Sequence, residues 1–256
     1  MSFVIDKQGD YLPVFGESAG GANATYIPEN TTYTVKADGT GDFSKLSEAV
    51  NFLNNKWSPY VVTISIGAGT FVEDGKVEII DTLHSGIPNI VIEGAGVDST
   101  ILQNTSTQNA LIFRNLRTSN IVVKNLTIEN TNATPPTIVL YAAGSRVLRV
   151  SNVKLKNAQY GIFAGVANSE IAIEGNLTIE DCSVDGMEIQ NNSALTGSAS
   201  ATIAFKNMPL GIHIYRQSKV IFFATTLTFA SVTNKASQAI NTQTADGYIY
   251  TDSGTI

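Results

Sequence analysis

Six short apolar segments recur along the second half of the chain at a nearly constant spacing. Each starts with Gly, Ala or Thr, and the leading apolar residues that follow are 27, 24, 25, 25 and 28 residues apart. These leading residues are Leu111, Ile138, Ile162, Met187, Ile212 and Ile240. A period near 25 residues predicts a solenoid, in which each repeat buries its apolar side against its neighbours.

A second pattern runs through the same repeats and defines a strand. Four segments read apolar, polar or small, apolar, polar, and then Asn or Asp; they are 126–130, 153–157, 177–181 and 203–207. This alternation indicates a half-buried strand that ends at a turn residue. The repeats show no helical periodicity and are shorter than a propeller blade of about 40 residues, so a parallel β-helix is predicted. The alternative, a leucine-rich repeat, requires a Leu/Asn consensus that is absent.

Stacking of the predicted coils makes two columns testable. Equivalent residues should lie about 4.8 Å apart in successive coils. The outward column Glu129, Lys156, Glu180 and Lys206 alternates in charge, and the adjacent column Asn130, Asn157, Asp181 and Asn207 is expected to form a hydrogen-bonded ladder. Both columns are interpreted as structural.

Composition excludes several classes of partner. The net charge is −6 with no cluster of Lys or Arg, so we expect neither nucleic-acid binding nor an anionic membrane surface as partner. The single cysteine, Cys182, has no partner for an internal disulfide, and with only His84 and His213 beside it no zinc site is expected. We expect no metal, no cofactor, no secretion signal and no membrane insertion.

The N-terminal part of the chain lacks the repeat. Apolar residues on one face predict a helix over 44–53, with Ser44 or Asp42 as its N-cap. Such a helix would close the open end of the solenoid core. The predicted organisation is an arm over 1–32, a cap over 33–60 and coils over 61–256, with the arm a possible attachment segment.

Three motifs near this cap carry a family resemblance. The segments VKADGTGDF at 35–43, GAGTF at 67–71 and IEGAG at 92–96 resemble the first coils of the pectin-lyase-like superfamily. The resemblance implies an all-β, right-handed parallel β-helix with an N-terminal capping helix. The Gln-Asp-Thr-Leu and Val-Asp-Phe-Ile-Phe-Gly motifs of its pectin methylesterases are absent, and the acidic residues do not cluster as calcium-dependent lyases require, so neither activity is expected.

One outward column offers candidate site residues. If Met187 and Ile189 face the core, Glu188 points outward, with Phe163 and His213 one coil away on either side. The catalytic hypothesis makes Glu188 and Asp185 the acid and base, with His213 positioning one of them. Aromatic rings beside amides favour sugar binding, and the candidate glycan-binding residues are Tyr141, Phe163, Gln190, Tyr215 and Arg216. Two alternatives stay open: ordinary exposed residues, or a subunit interface.

The leading functional hypothesis is a virion structural protein similar to phage tail fibres or tailspikes. It would form a homotrimer, contact other virion proteins through residues 1–32, and present its surface to a host polysaccharide. The alternative is a polysaccharide lyase or glycoside hydrolase on the same fold, located in a virion or outside the cell. A third hypothesis is a bacterial surface adhesin.

Overall fold

Parallel strands stacked coil upon coil make up nearly all of the regular structure. The computed structural model describes residues 2–5, 11–14, 25–54, 56–80, 87, 89–114, 120–132, 138–144, 147–166, 168–223, 225–238 and 248–251. Its strands are β1 Ser2–Ile5, β2 Tyr11–Val14, β3 Thr25–Tyr26, β4 Thr31–Val35, β5 Lys56–Trp57, β6 Val61–Ile66, β7 Gly69–Glu73, β8 Val77–Ile80, β9 Asn89–Gly94, β10 Thr100–Asn104, β11 Leu111–Arg114, β12 Asn120–Asn130, β13 Ile138–Ala143, β14 Val147–Val166, β15 Glu170–Ile173, β16 Asn176–Ile189, β17 Ala194–Gly197, β18 Thr202–Ile214, β19 Lys219–Phe222, β20 Thr226–Gln238 and β21 Tyr248–Thr251. The one helix of the described residues is α1 Leu46–Phe52.

Strand pairing divides the coils into three faces. Face A contains β6, β9, the first parts of β12 and β14, then β15, β17, β19 and β21. Face B contains β7, β10, the second part of β12, the middle of β14 and the first parts of β16, β18 and β20. Face C contains β8, β11, β13 and the last parts of β14, β16, β18 and β20. The chain is a right-handed parallel β-helix, as predicted.

Single residues in the left-handed conformation turn the chain between faces. Faces B and C meet at Asn157, Asp181, Asn207 and Ser231, with φ of 60°, 57°, 55° and 56°. Asn and Asp tolerate this conformation because their short polar side chains bond the local backbone. The predicted ladder is confirmed where the Asn207 amide donates to Asp181 Oδ1 at 3.1 Å. At Asn130 it fails, because that side chain instead accepts from the Asn132 N–H at 3.0 Å.

The charged column of face B follows the predicted order. Parallel pairing sets Glu129 opposite Lys156, Lys156 opposite Glu180, and Glu180 opposite Lys206. Lys156 Nζ lies 2.8 Å from Glu129 Oε2. Alternating signs therefore replace the like-charge repulsion that a uniform column would suffer.

Helix α1 closes the N-terminal end of the core with buried Leu46, Ala49 and Val50. The predicted cap was wrong. The Leu46 N–H donates to Glu73 Oε1 of β7 at 2.8 Å, while the backbone N–H of Ser44 donates to Glu48 at 3.0 Å. Asp42 instead accepts from the Thr34 N–H at 2.7 Å. A carboxylate at the start of the helix satisfies free N–H groups and complements the helix dipole.

Much of the predicted arm, 1–32, lies outside the described residues. Strands β1 and β2 pair antiparallel with each other, and β4 already pairs with β6 as the first coil. The attachment role of this segment stays a prediction. Among the described residues, no helix is both long and apolar enough to cross a membrane.

Candidate functional site

Strand register on face C brings the predicted column together. Glu188 pairs with Phe163 on one side and His213 on the other, and Tyr141 pairs with Phe163 one coil further. Met187 and Ile189 are fully buried, so Glu188 lies on the outer surface as expected. The parallel ladder fixes these side chains about 4.8 Å apart along the helix axis.

A glycine next to Asp185 changes the local alternation. A Cβ on Gly186 would lie 2.7 Å from both Met208 Sδ and Phe205 Cδ1, so Gly186 faces the core. Met187 also faces the core, and the register with β18 shifts between Glu180 and Asp185. Two consecutive inward residues make a bulge. The bulge puts Asp185 on the same outer side as Glu188.

Asp185 and Glu188 form a buried carboxyl pair with two hydrogen-bonding partners from the next coil. They are only 4% and 6% exposed. His213 Nδ1 lies 3.1 Å from Asp185 Oδ2, and the Tyr215 hydroxyl donates to Glu188 Oε1 at 2.6 Å. One ligand atom from each of Asp185, Glu188 and His213 lies within 4.8 Å of the others.

Burial raises the pKa of both carboxyl groups above the ordinary values. For Asp185 burial dominates, and the hydrogen bond and charge of His213 counteract part of the rise in pKa. For Glu188 burial again dominates, the Tyr215 hydrogen bond lowers the pKa, and the charge of Asp185 raises it further. Two adjacent carboxylates resist simultaneous ionisation. The pair is therefore suited to keeping a proton that an isolated surface carboxyl would lose.

Aromatic rings line the N-terminal side of this pair. The ring centroids of Tyr141 and Phe163 are 5.4 Å apart, and those of Tyr160 and Phe163 are 5.5 Å apart, both with edge-to-face geometry. Tyr160 pairs with Asp185, and its pKa is raised by burial and then by the charges of Glu188 and Asp185. Sequence reasoning missed Tyr160, because its place depends on the irregular register beside the bulge.

Polar groups line the C-terminal side. The Arg216 guanidinium donates to Gln190 Oε1 at 3.2 Å and to Asn191 Oδ1 at 3.3 Å. It also lies 5.3 Å from the centroid of the Tyr215 ring. Asn191 was not predicted; it stands directly after Gln190 and adopts a left-handed φ of 58°. All eight predicted site residues thus lie on face C or in the turn that follows it, while their roles stay predictions.

The same cluster offers donors of the kind that bind divalent cations. One imidazole nitrogen and two carboxylate oxygens face one another. However, His213 Nδ1 already contacts Asp185, and Glu188 already accepts from Tyr215. Hydrogen bonds within the cluster account for its arrangement without a cation.

The fold defines the class of this chain as a pectin-lyase-like parallel β-helix. A solved pectin methylesterase in complex with a hexasaccharide superposes with a TM-score of 0.51 at 11% identity, over 88% of this chain and 91% of that chain. A mutant pectin methylesterase with another hexasaccharide gives 0.51 at 12% identity over the same shares. The pectin methylesterase of Erwinia chrysanthemi gives 0.44 at 9% identity, over 93% and 92%.

Identities this low show a shared fold and nothing finer. No protein-family model matches the sequence, and no curated protein matches it. The function therefore has to be argued from the side chains of face C.

Proposed function

We propose that this chain binds a polysaccharide on face C and cleaves it with the carboxyl pair Asp185 and Glu188. The observation that carries the proposal is the pair itself: two outward-facing carboxyl groups, both more than nine-tenths buried, beside aromatic rings on the same face. Rings stack on the apolar faces of sugars, and carboxyl pairs perform acid–base work on glycosidic bonds. Pectin methylesterases, which act on a polysaccharide, use the same fold, and this supports the class of ligand.

The environments of the two carboxyl groups assign them different roles. Asp185 contacts His213, which favours its charged form, whereas burial and the charge of Asp185 favour the protonated form of Glu188. Glu188 is then the acid that donates a proton to the leaving glycosidic oxygen. Asp185 is the carboxylate that faces the anomeric carbon, and His213 is a positioning residue.

The short separation of the pair favours a two-step course. Carboxyl groups about 5–5.5 Å apart belong to retaining hydrolysis, while inverting enzymes leave about 6.5–9.5 Å for a water molecule. The ligand atoms here lie within 4.8 Å of one another. Asp185 would form a bond to the anomeric carbon as the glycosidic bond breaks. Water would then attack this ester bond and give its proton to Glu188.

The test is cleavage of a panel of surface polysaccharides, followed as newly formed reducing ends. We expect Glu188→Gln and Asp185→Asn each to lower the rate by about 100-fold or more, the usual contribution of acid–base catalysis. Glu180→Gln is the matched control, because Glu180 lies on the same strand, β16, but on face B. Full activity of Glu188→Gln, or equal loss in the control, would refute the assignment.

Elimination and simple binding are distinguished by the same experiment. A lyase yields unsaturated ends that absorb ultraviolet light, and this product would overturn hydrolysis. If no polysaccharide is cleaved, catalysis is refuted. Binding is then measured separately as retention on immobilised glycan, which Phe163→Ala should weaken and Val72→Ala, on face B, should not.

A virion role, a homotrimer and a host-facing surface stay predictions, as does the surface adhesin. Their test is independent of catalysis. Antibody labelling of particles would locate the chain on a phage tail, and solution mass would show whether three chains of 27.2 kDa associate.

A further inference from the structure

Face A has an outer surface with few charged groups. Its central outward column runs through seven coils and is continuous in the strand register. The residues are Thr63, Val91, Val122, Arg149, Ala172, Thr196 and Ile221. Six of the seven are small or aliphatic, and all but the exposed Arg149 are half-buried. This column lies apart from the carboxyl pair of face C.

The other two faces are chemically different from this one. Face B carries the alternating Glu and Lys column, and face C carries the site. Near the two ends of face A lie Val61 and Phe223, whose exposures of 37% and 49% are high for apolar residues. Arg149, the one charge in the central column, lies 2.6 Å from Glu174. Desolvating this column therefore costs less than desolvating either of the other surfaces.

The size of the patch matches a specific interface. Seven coils at about 4.8 Å, with strands of about five residues at about 3.3 Å each, give a planar area of roughly 500 Å². Two such patches bury on the order of 1,000 Å² together, the size at which a specific protein interface is expected. Small and β-branched side chains also allow two sheets to pack face to face at about 10 Å.

We propose that face A is the surface through which this chain associates with a second copy of itself. A self-complementary interface brings the same patch of both copies together. Arg149 belongs to the fourth of the seven coils, so a two-fold axis through the middle of the column sets its ion pair beside the same pair of the partner. Charges of opposite sign can then alternate across the interface. Face C stays open to the polysaccharide, and the proposal does not depend on catalysis.

The first experiment measures solution mass by light scattering over a concentration series. We expect a mass of at least twice 27.2 kDa, and a single chain for Val122→Lys, because a charge at the centre of a buried patch opposes association. Val72→Lys on face B is the matched control, since Val72 is an outward valine with 41% exposure. Circular dichroism verifies folding, and Thr196→Lys replaces Val122→Lys if that variant does not fold.

A cross-linking experiment gives an independent result. Ala172→Cys places a thiol near the centre of the patch, and mild oxidation should yield a covalent dimer. The native Cys182 does not interfere, because it is 2% exposed. A wild-type monomer at every concentration overturns the proposal. So does an associated form that is insensitive to Val122→Lys, or one that only Val72→Lys disrupts.

Discussion

Substitution of Gly186 by Ala tests both the packing and the geometry of the site. The new Cβ would lie 2.7 Å from Met208 Sδ, 2.7 Å from Phe205 Cδ1 and 2.8 Å from the carbonyl oxygen of Gly211. The two side chains can shift, but the carbonyl belongs to the next coil and is held in the sheet. Overpacking of this kind costs about 1–3 kcal/mol.

Part of that cost is offset in the unfolded chain. Replacing Gly by Ala restricts the unfolded state and stabilises by about 0.4–1 kcal/mol where the native backbone permits it. The net expectation is a loss of about 1–2 kcal/mol in the free energy of unfolding, which lowers the melting temperature by about 2–8 °C in a chain of this size. Thermal and urea unfolding of both proteins measure it.

Gly75→Ala is the control, because a Cβ there meets no atom within 4 Å. It should leave the stability unchanged or slightly higher. Because Gly186 sits inside the bulge, its Ala variant should also displace Asp185 and reduce cleavage more than it reduces stability. A Gly186→Ala protein as stable as the wild type would show that the coil spacing is not fixed here.

Three further predictions concern single residues. Glu188→Gln should be more stable than the wild type at neutral pH; since burial raises the folded-state pKa above 4.5, the advantage should grow as pH rises through that pKa and vanish in acid, as unfolding at several pH values will show. Cys182, whose pKa burial raises to about 12, should resist alkylation in the folded protein and react once unfolded, as mass spectrometry will show. Glu73→Ala should cost about 0.5–2 kcal/mol in urea unfolding through loss of the cap of α1, and unchanged stability would contradict that role.

The sequence was sufficient for the fold because the signal is periodic. A repeat near 25 residues and strict alternation decide which side chains face the core, and the same parity places Glu188 between Phe163 and His213. Such patterns depend on the local chain and on stacking alone. The charged column of face B was predictable for the same reason.

The misses share a different cause. The cap of α1 comes from Glu73, which is 27 residues beyond Leu46 in the chain. The contribution of Tyr160 follows from a bulge, which breaks the parity that sequence reasoning assumes. Both depend on which residues meet across coils at irregular points. A single sequence contains no periodic signal for such contacts.

Placement of the site across two coils also orders events during synthesis. Asp185 and Glu188 lie on β16, whereas His213 and Tyr215 come from β18 and the residue that follows it. In a solenoid each coil stacks on its neighbour, so structure can grow coil by coil. A nascent chain that ends near residue 200 would carry the carboxyl pair without either partner. Its activity would begin only when the following coil emerges and docks, which makes completion of the scaffold the timer for the chemistry.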